Sequence, residues 1–261
     1  MKNEQKSLAL QYHENSKSLA QTYDFDPQVS YKVYPGAEFI KFNAPTYPCS
    51  QVNVSIKCED SFLKSMMERK STRDFTSEPI GLDTLSRLIT LSCGHNNAQK
   101  GEKYRTYPSA GARYPIEVYV IILRSNEIEK GIYHYNVLDN GLEYVKTCES
   151  ADNAKKFYSN QADIINGIYP CLILFSAVFK RTMEKYGERG YRFLFLDAGH
   201  MAQNLYLTAT YLGLGIVALG VGSGNDNKLD DILGLVSSEE NVIYGFAVGY
   251  PKKHKDVNLT H

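Results

Sequence analysis

The amino-acid sequence predicts an α+β fold, in which helices pack on a mainly antiparallel sheet. Cys171–Val178 is almost entirely apolar, as expected of a strand that is covered on both faces. Asp139-Asn140-Gly141 lies between the β-rich segments Gly131–Asn136 and 142–145, and such a turn is typical of a hairpin. Residues 191–212 repeat apolar side chains at intervals of three and four, which predicts a long helix buried in the domain or against a partner subunit.

Shorter patterns add further elements. The segment 61–69 has apolar residues at helical spacing, and the segment 81–94 repeats that spacing and ends in Gly94, a residue typical of helix C-termini. Residues 117–123 and 242–248 are rich in β-branched and aromatic side chains, so they predict two more strands.

The chain is organised as an arm and a domain. Residues 1–60 show little helical period, and we expect them to form an N-terminal arm that packs on one domain of residues 61–261. The later glycines do not have the G-x-G-x-x-G spacing of a dinucleotide-binding loop. Gly213 and Gly215 follow the long helix, so both are interpreted as C-capping residues.

Composition excludes several classes of protein. Twenty-nine basic residues balance 29 acidic ones, whereas a nucleic-acid-binding protein has a basic surplus. Twenty tyrosines and 11 phenylalanines are too many aromatic residues for a disordered chain. We therefore expect a globular protein that does not bind nucleic acid.

Cysteine and histidine usage predicts neither disulfides nor a metal site. The five cysteines include no close pair and are interpreted as buried or idle thiols in a reducing compartment. His200, on the predicted long helix, is interpreted as a core residue because no second histidine has metal-binding spacing from it. The apolar stretch 193–221 is interrupted by polar residues, and the N-terminus has no secretory signal. These features predict a cytoplasmic protein with no membrane partner.

Three short motifs have binding or catalytic potential. Arg69, Ser71 and Arg73 alternate along the chain and could converge on one anion, although such clusters are often solvated surface. The small residues of the segment 108–115 would let backbone approach a flat ring, or simply form a turn. Lys185-Tyr186 places an amine beside a phenol, a pair that is also common in structural positions.

These motifs occur together in a recognisable order. R-x-S-x-R, P-S-A-G-A-x-Y-P, K-Y-G-x-R-x-Y-R, A-G-H-x-x-Q-N-L and V-G-Y-P resemble the flavin-dependent nitroreductase superfamily. More narrowly, they resemble the SagB-type dehydrogenases, which act as azoline oxidases in making peptide natural products. The resemblance is densest over residues 69–253, and the segment 12–17 resembles the leading segment of that subgroup.

The resemblance implies a nitroreductase-like α+β fold that is completed by homodimerisation, with FMN at the subunit interface. It also implies which residues bind FMN. Arg69, Ser71 and Arg73 would bind its phosphate, ribityl and ring-edge oxygens, and Lys252 and Lys253 would lie near its phosphate. The backbone of Val217, Ala218, Leu219 and Gly220 would lie along the face of its ring. Pro108, Ser109, Ala110 and Gly111 of the other subunit would contact the same ring.

The resemblance also implies a reaction. Azoline oxidases carry the Lys-Tyr pair and nitro-reducing relatives lack it, so Lys185 would be the base and Tyr186 a proton relay or orienting group in oxidising thiazolines or oxazolines of a peptide. A cyclodehydratase is the expected partner. Two alternatives stay open: an NAD(P)H-dependent reductase of nitro compounds or quinones, and a non-catalytic FMN-binding subunit of a synthetase complex.

Overall fold

A computed structural model describes residues 11–12, 31–42, 61–95, 104–157, 168–220 and 227–252. Seven strands in this part of the chain form one sheet, in which every pair of neighbours is antiparallel. The predicted α+β fold is therefore confirmed. The strands are β1 Phe39–Lys41, β2 Ile116–Ile122, β3 Gly131–Asn136, β4 Gly141–Lys146, β5 Cys171–Val178, β6 Gly215–Leu219 and β7 Glu240–Gly249, in the order β1-β4-β3-β2-β5-β7-β6.

Six helices flank the sheet in the described ranges. The long helix α5 contacts α1, α2 and α4, so it organises one side of the molecule. The helices are α1 Ser61–Glu68, α2 Leu82–Cys93, α3 Cys148–Phe157, α4 Phe179–Tyr186, α5 Gly190–Tyr211 and α6 Asn227–Leu233. No helix in the described part of the chain is long and apolar enough to cross a bilayer.

Each face of the sheet has its own apolar core. On the first face, Ile173 and Phe246 belong to the same buried cluster as Leu205 of α5. On the second face, Leu172 belongs to a cluster with Leu229 of α6 and residues of α3. Because side chains alternate between the faces of a strand, β5 is apolar throughout, as its sequence predicts.

The long helix ends at a left-handed glycine. Gly213 has φ +73°, and the following Leu214 N–H donates to the Ala209 carbonyl at 2.8 Å, which closes the helix. This confirms the interpretation of Gly213. The interpretation of Gly215 as a second cap is wrong, because Gly215 begins β6 and pairs with Gly249 of β7.

Part of the N-terminal region joins the domain. β1 pairs with β4 at one edge of the sheet, and Lys32 Nζ is 2.5 Å from Glu240 Oε2 of β7. The described residues 31–42 thus pack on the domain, while the boundary at residue 60 remains a prediction. Cys49 and Cys58 lie outside the described residues.

Candidate functional site

The loop before β2 adopts an unusual backbone conformation. Gly111, Ala112 and Tyr114 have φ values of +59°, +53° and +46°, a region that residues with a Cβ rarely adopt. Backbone strain of this kind is concentrated at functional sites and is kept only where neighbouring groups enforce it. The loop therefore needs an anchor.

Asp197 of α5 provides that anchor. The Ser109 hydroxyl donates to Asp197 Oδ2 at 2.5 Å, and the Ala110 N–H donates to Asp197 Oδ1 at 3.3 Å. The Tyr114 N–H in turn donates to Ser109 Oγ at 2.8 Å. Asp197 is buried, and this burial raises the pKa of its carboxyl above the ordinary value despite the two donors. The loop and the long helix are thus one unit.

Lys185 and Tyr186 lie at the C-terminal end of α4 and reach the same loop. A methyl group built on Gly111 would lie 2.5 Å from Tyr186 Oη and 2.7 Å from Lys185 Nζ, so a larger residue there would force the ends of these two side chains to move. Lys185 Nζ is 5.4 Å from the centre of the Tyr186 ring. That ring packs edge-on against Phe193 of α5. The structure therefore places the predicted catalytic pair against the predicted flavin-binding loop.

Replacing Gly111 with alanine should separate Lys185 and Tyr186, the predicted catalytic pair, from the loop. The new methyl group must displace the Lys185 amine and the Tyr186 hydroxyl, and alanine at φ +59° adds about 1 kcal/mol of backbone strain. We expect a folded protein that has lost about 1 kcal/mol of unfolding free energy and at least tenfold in turnover. Urea unfolding and rate measurements test this, with Gly36→Ala as the control because Gly36 also has a positive φ, +78°, but has open space around it. An alanine variant with wild-type turnover would contradict the expectation.

Two arginines join α4 to the C-terminal end of the loop. Arg113 Nε donates to the Arg181 carbonyl oxygen at 2.8 Å, and Arg181 Nη1 donates to the Tyr114 carbonyl oxygen at 3.0 Å. Arg181 Nη1 is also 2.5 Å from Glu117 Oε1 of β2. Because these groups are buried, the contacts are protected from water.

The Arg181–Glu117 pair continues into a buried row of alternating charges. His134 Nε2 lies 2.8 Å from Glu117 Oε2, and His134 Nδ1 lies 2.9 Å from Glu143 Oε2 of β4. Burial alone would raise the pKa of Glu117, but the Arg181 charge and the His134 hydrogen bond outweigh it and lower that pKa to about 2. Burial alone would lower the pKa of His134, yet its bonds to the two glutamates raise it above the ordinary value.

This row of charges predicts how stability depends on pH. The stabilisation from His134 is complete below pH 6.5, the ordinary pKa of histidine, and is lost as pH rises through the raised pKa of the folded state. We expect His134→Gln to cost about 3 kcal/mol of unfolding free energy near pH 6 and progressively less at higher pH. Urea unfolding from pH 6 to 9 measures this. His95→Gln, at a half-buried histidine outside the row, is the control. A cost that does not change with pH would contradict the charged state of His134.

Arg69 and Ser71 lie beside β6, away from the Gly111 loop. Ser71 forms a parallel bridge with Ile216, and the guanidinium of Arg69 lies 5.5 Å from the centre of the Tyr206 ring. Tyr206 Oη accepts a hydrogen bond from the Ala218 N–H at 2.8 Å. The segment 69–73 and the segment 217–220 are therefore neighbours, as the predicted binding of one flavin requires.

Further cations lie near this segment. Arg73 is exposed, with Nη1 3.5 Å from the Ser71 carbonyl oxygen. Lys252 donates its N–H to the Asp74 carbonyl at 3.0 Å, and its ammonium is 3.8 Å from the Asp74 carboxylate. Lys253 lies outside the described residues. Guanidinium, ammonium and hydroxyl groups along one segment are the donor set that a phosphate group requires, so these residues fit the phosphate of FMN.

The two sets of predicted site residues are separated along α5. The loop is anchored at Asp197 and the Arg69 segment contacts Tyr206, and nine helical residues span about 13 Å. Next to Asp197, on its N-terminal side, α5 exposes apolar side chains, with Leu196 57% accessible, and α1 exposes Met67 at 87%. A cavity of ≈ 340 Å³ lies between α1, α2 and α5 and is lined by Phe62 and Tyr211 among others.

Sequence reasoning missed the residues that hold the site together, among them Asp197, Arg181, His134 and Tyr206. One signal was present, since a polar residue at a core position of a helix, such as Asp197, often marks a functional site. The core interpretation of His200 is wrong: it is exposed, because it lies about 100° around α5 from the buried Met201. The described residues contain no cluster of potential metal ligands.

Comparison with known proteins places the chain in a family. The profile of the Nitroreductase family matches residues 66–250. MJ1384 of Methanocaldococcus jannaschii, provisionally named a nitroreductase, is 34% identical over 178 residues, covering 68% of this chain and 84% of MJ1384. The microcin B17-processing protein McbC of Escherichia coli is 30% identical over 139 residues, covering 52% of this chain and 50% of McbC. The trifolitoxin-processing protein TfxB of Rhizobium leguminosarum bv. trifolii is 29% identical over 190 residues, covering 68% and 49%.

Solved structures share the fold. A provisionally named nitroreductase of Ralstonia eutropha has a TM-score of 0.64 at 24% identity, covering 90% of this chain and 99% of that one. The E. coli microcin synthetase McbBCD complex, with truncated pro-MccB17 bound, contains a chain with a TM-score of 0.63 at 21% identity, covering 94% and 92%. This chain spans about half the length of McbC and TfxB, and its similarity to them supports the SagB-type subgroup. The chain therefore belongs to the nitroreductase family of flavoprotein oxidoreductases.

Proposed function

We propose that this protein is a cytoplasmic, FMN-dependent azoline oxidase, which converts thiazoline or oxazoline rings of a peptide into thiazoles or oxazoles. The observation that carries the proposal is the meeting of Lys185 and Tyr186 with the loop at Gly111. A reductase that takes electrons from a nicotinamide needs no side-chain base, whereas removal of two hydrogens from an azoline ring does. Two relatives named for microcin and trifolitoxin processing add support.

The residues proposed to hold FMN form the two sets described above. Arg69, Ser71, Arg73 and Lys252 would bind the phosphate and ribityl oxygens, with Lys253 as a further candidate, and the backbone of the segment 217–220 would lie along the ring. Pro108, Ser109, Ala110 and Gly111 would contact the ring from a second subunit. In one chain the two sets are about 13 Å apart along α5, and the resemblance implies FMN at a subunit interface, so we assign the loop that contacts a given ring to the second subunit.

A homodimer would bring the two sets together. A two-fold axis across the exposed face of α5 would place the loop of one subunit beside the Arg69 segment of the other. That face carries the exposed apolar residues Phe195 and Leu196, and α1 carries Phe62 and Met67, a pattern typical of an interface.

The proposed reaction removes one hydride and one proton from the azoline ring. When bound, FMN would supply a two-electron acceptor for the hydride, with dioxygen as the final oxidant. The Lys185 amine accepts the proton from the ring carbon, and the adjacent Tyr186 hydroxyl orients the amine or passes the proton on to solvent. The Gly111 loop would hold the Lys185 amine and the Tyr186 hydroxyl at the edge of the azoline ring.

An absorbance spectrum followed by anaerobic mixing tests the proposal. Purified protein should be yellow, and an azoline-bearing peptide should bleach the flavin within one turnover while the peptide loses two hydrogens by mass. Rapid bleaching by NADPH without bleaching by the azoline would favour the reductase alternative. Flavin that neither substrate reduces would favour a non-catalytic subunit. The same azoline assay, with and without a cyclodehydratase, would test whether a synthetase partner is required.

A further inference from the structure

We propose that Arg181 is a positioning residue, which fixes the Lys185–Tyr186 pair against the Gly111 loop. The expected effect of Arg181 on catalysis rests on the proposed function. The contacts that position the pair lie within one chain and do not depend on that function. Arg181 lies in the first turn of α4, and Lys185 follows it by four residues. Residues four apart lie on one helix face, so the anchor of Arg181 determines where the Lys185 side chain is directed.

The contacts of Arg181 form a reciprocal clamp. Its guanidinium donates to the Tyr114 carbonyl, and its own carbonyl accepts from Arg113, so α4 and the loop segment are tied in both directions. The Ser109 hydroxyl binds the Tyr114 N–H on the other side of the same residue. A shift of α4 relative to the loop would therefore break the hydrogen bonds that Arg181 makes with Arg113 and Tyr114.

The clamp is also fixed to the sheet. Arg181 is 6% accessible and pairs with Glu117 of β2, which contacts His134 of β3, which contacts Glu143 of β4. Three adjacent strands thus hold the first turn of α4 through one row of side chains. If this row served only to stabilise the fold, apolar side chains of similar volume could take its place. The buried row of charges ends at α4, the helix that carries the proposed catalytic pair. We interpret the row as a device that fixes the position of this helix.

Arginine suits this role better than lysine. Arg181 Nη1 donates simultaneously to Glu117 Oε1 and to the Tyr114 carbonyl oxygen. A lysine keeps the positive charge for Glu117, but its side chain is shorter and its tetrahedral ammonium does not hold two donor directions in one plane. Arg181→Lys therefore displaces α4 relative to the loop while it avoids leaving Glu117 without a cation.

The first test measures position without flavin or turnover. Lys185 in the flavin-free protein is acetylated with an N-hydroxysuccinimide ester, and the rate is read from the mass of its peptide. In Arg181→Lys we expect this rate to rise several-fold, since the amine is no longer held at Gly111 and Tyr186. Lys180, exposed on the same helix, should react at an unchanged rate, and Arg87→Lys on α2 is the matched control variant.

The second test measures the catalytic consequence. Arg181→Lys should lower turnover with an azoline peptide by about 10- to 100-fold, leave KM and flavin content unchanged, and have no further effect in a Lys185→Ala background. Additive losses, or wild-type labelling together with wild-type turnover, would overturn the inference.

If Arg181→Lys does not fold, Glu117→Gln weakens the same clamp and should change labelling and turnover in the same direction. If Lys185→Ala keeps full turnover, the proposed function fails, and the labelling result still decides the role of Arg181.

Discussion

Replacing Lys185 with alanine should lower turnover on an azoline peptide by about 10²- to 10⁴-fold while the protein keeps its flavin. The amine is the group proposed to take the ring proton, and it lies against Gly111 of the loop. Tyr186→Phe removes only the hydroxyl and keeps the ring contact with Phe193, so we expect a smaller loss of about tenfold. Stopped-flow measurement of flavin bleaching reports these rates directly.

The controls for these variants separate chemistry from structure. Lys180→Ala changes an exposed lysine on the same helix and should have wild-type rates. Bleaching of Lys185→Ala by dithionite should also match wild type, because that reaction needs no base. If Lys185→Ala and Tyr186→Phe both keep their flavin and full turnover, the assignment of these two residues is wrong.

Local periodicity predicted the elements that have a strong apolar pattern. Cys171–Val178 and Gly131–Asn136 match β5 and β3 residue for residue, and the predicted helix 191–212 is shifted by one residue from Gly190–Tyr211. α4 was not predicted, because half of its eight residues are charged and its position depends on tertiary contacts of Arg181. β6 was not predicted either, since its apolar residues directly follow the C-terminal signal of α5.

Contacts between distant residues were beyond the reach of local patterns. His134 pairs with Glu143 through the hairpin register, but its contact with Glu117 depends on the neighbouring position of β2 and β3. The row of buried charges therefore becomes visible only once the strand order is known. The site residues were proposed from a resemblance, and the structure adds Asp197 and Arg181 as the groups that hold two of the predicted motifs together.

The proposed homodimer makes Gly199 a sensitive position. A side chain at Gly199 meets open space in the single chain, and leucine is a better helix former than glycine, so Gly199→Leu should stabilise an isolated subunit by about 1 kcal/mol. If two copies of α5 pack on this face beside Leu196, the same leucine would hold the helices apart. We therefore expect Gly199→Leu to be a folded monomer that has lost its flavin, because each half of the binding site would lack the other.

Sedimentation velocity and the ratio of flavin to protein absorbance measure both effects on one sample. Asn153→Leu adds the same side chain at an exposed position of α3, across the sheet from α5, and should remain a yellow dimer. A monomer with wild-type far-UV circular dichroism and no flavin is the specific outcome, since a variant that merely misfolds loses its secondary structure as well. A wild-type monomer that binds flavin, or a Gly199→Leu dimer that keeps it, would show that α5 does not join the two halves of the site.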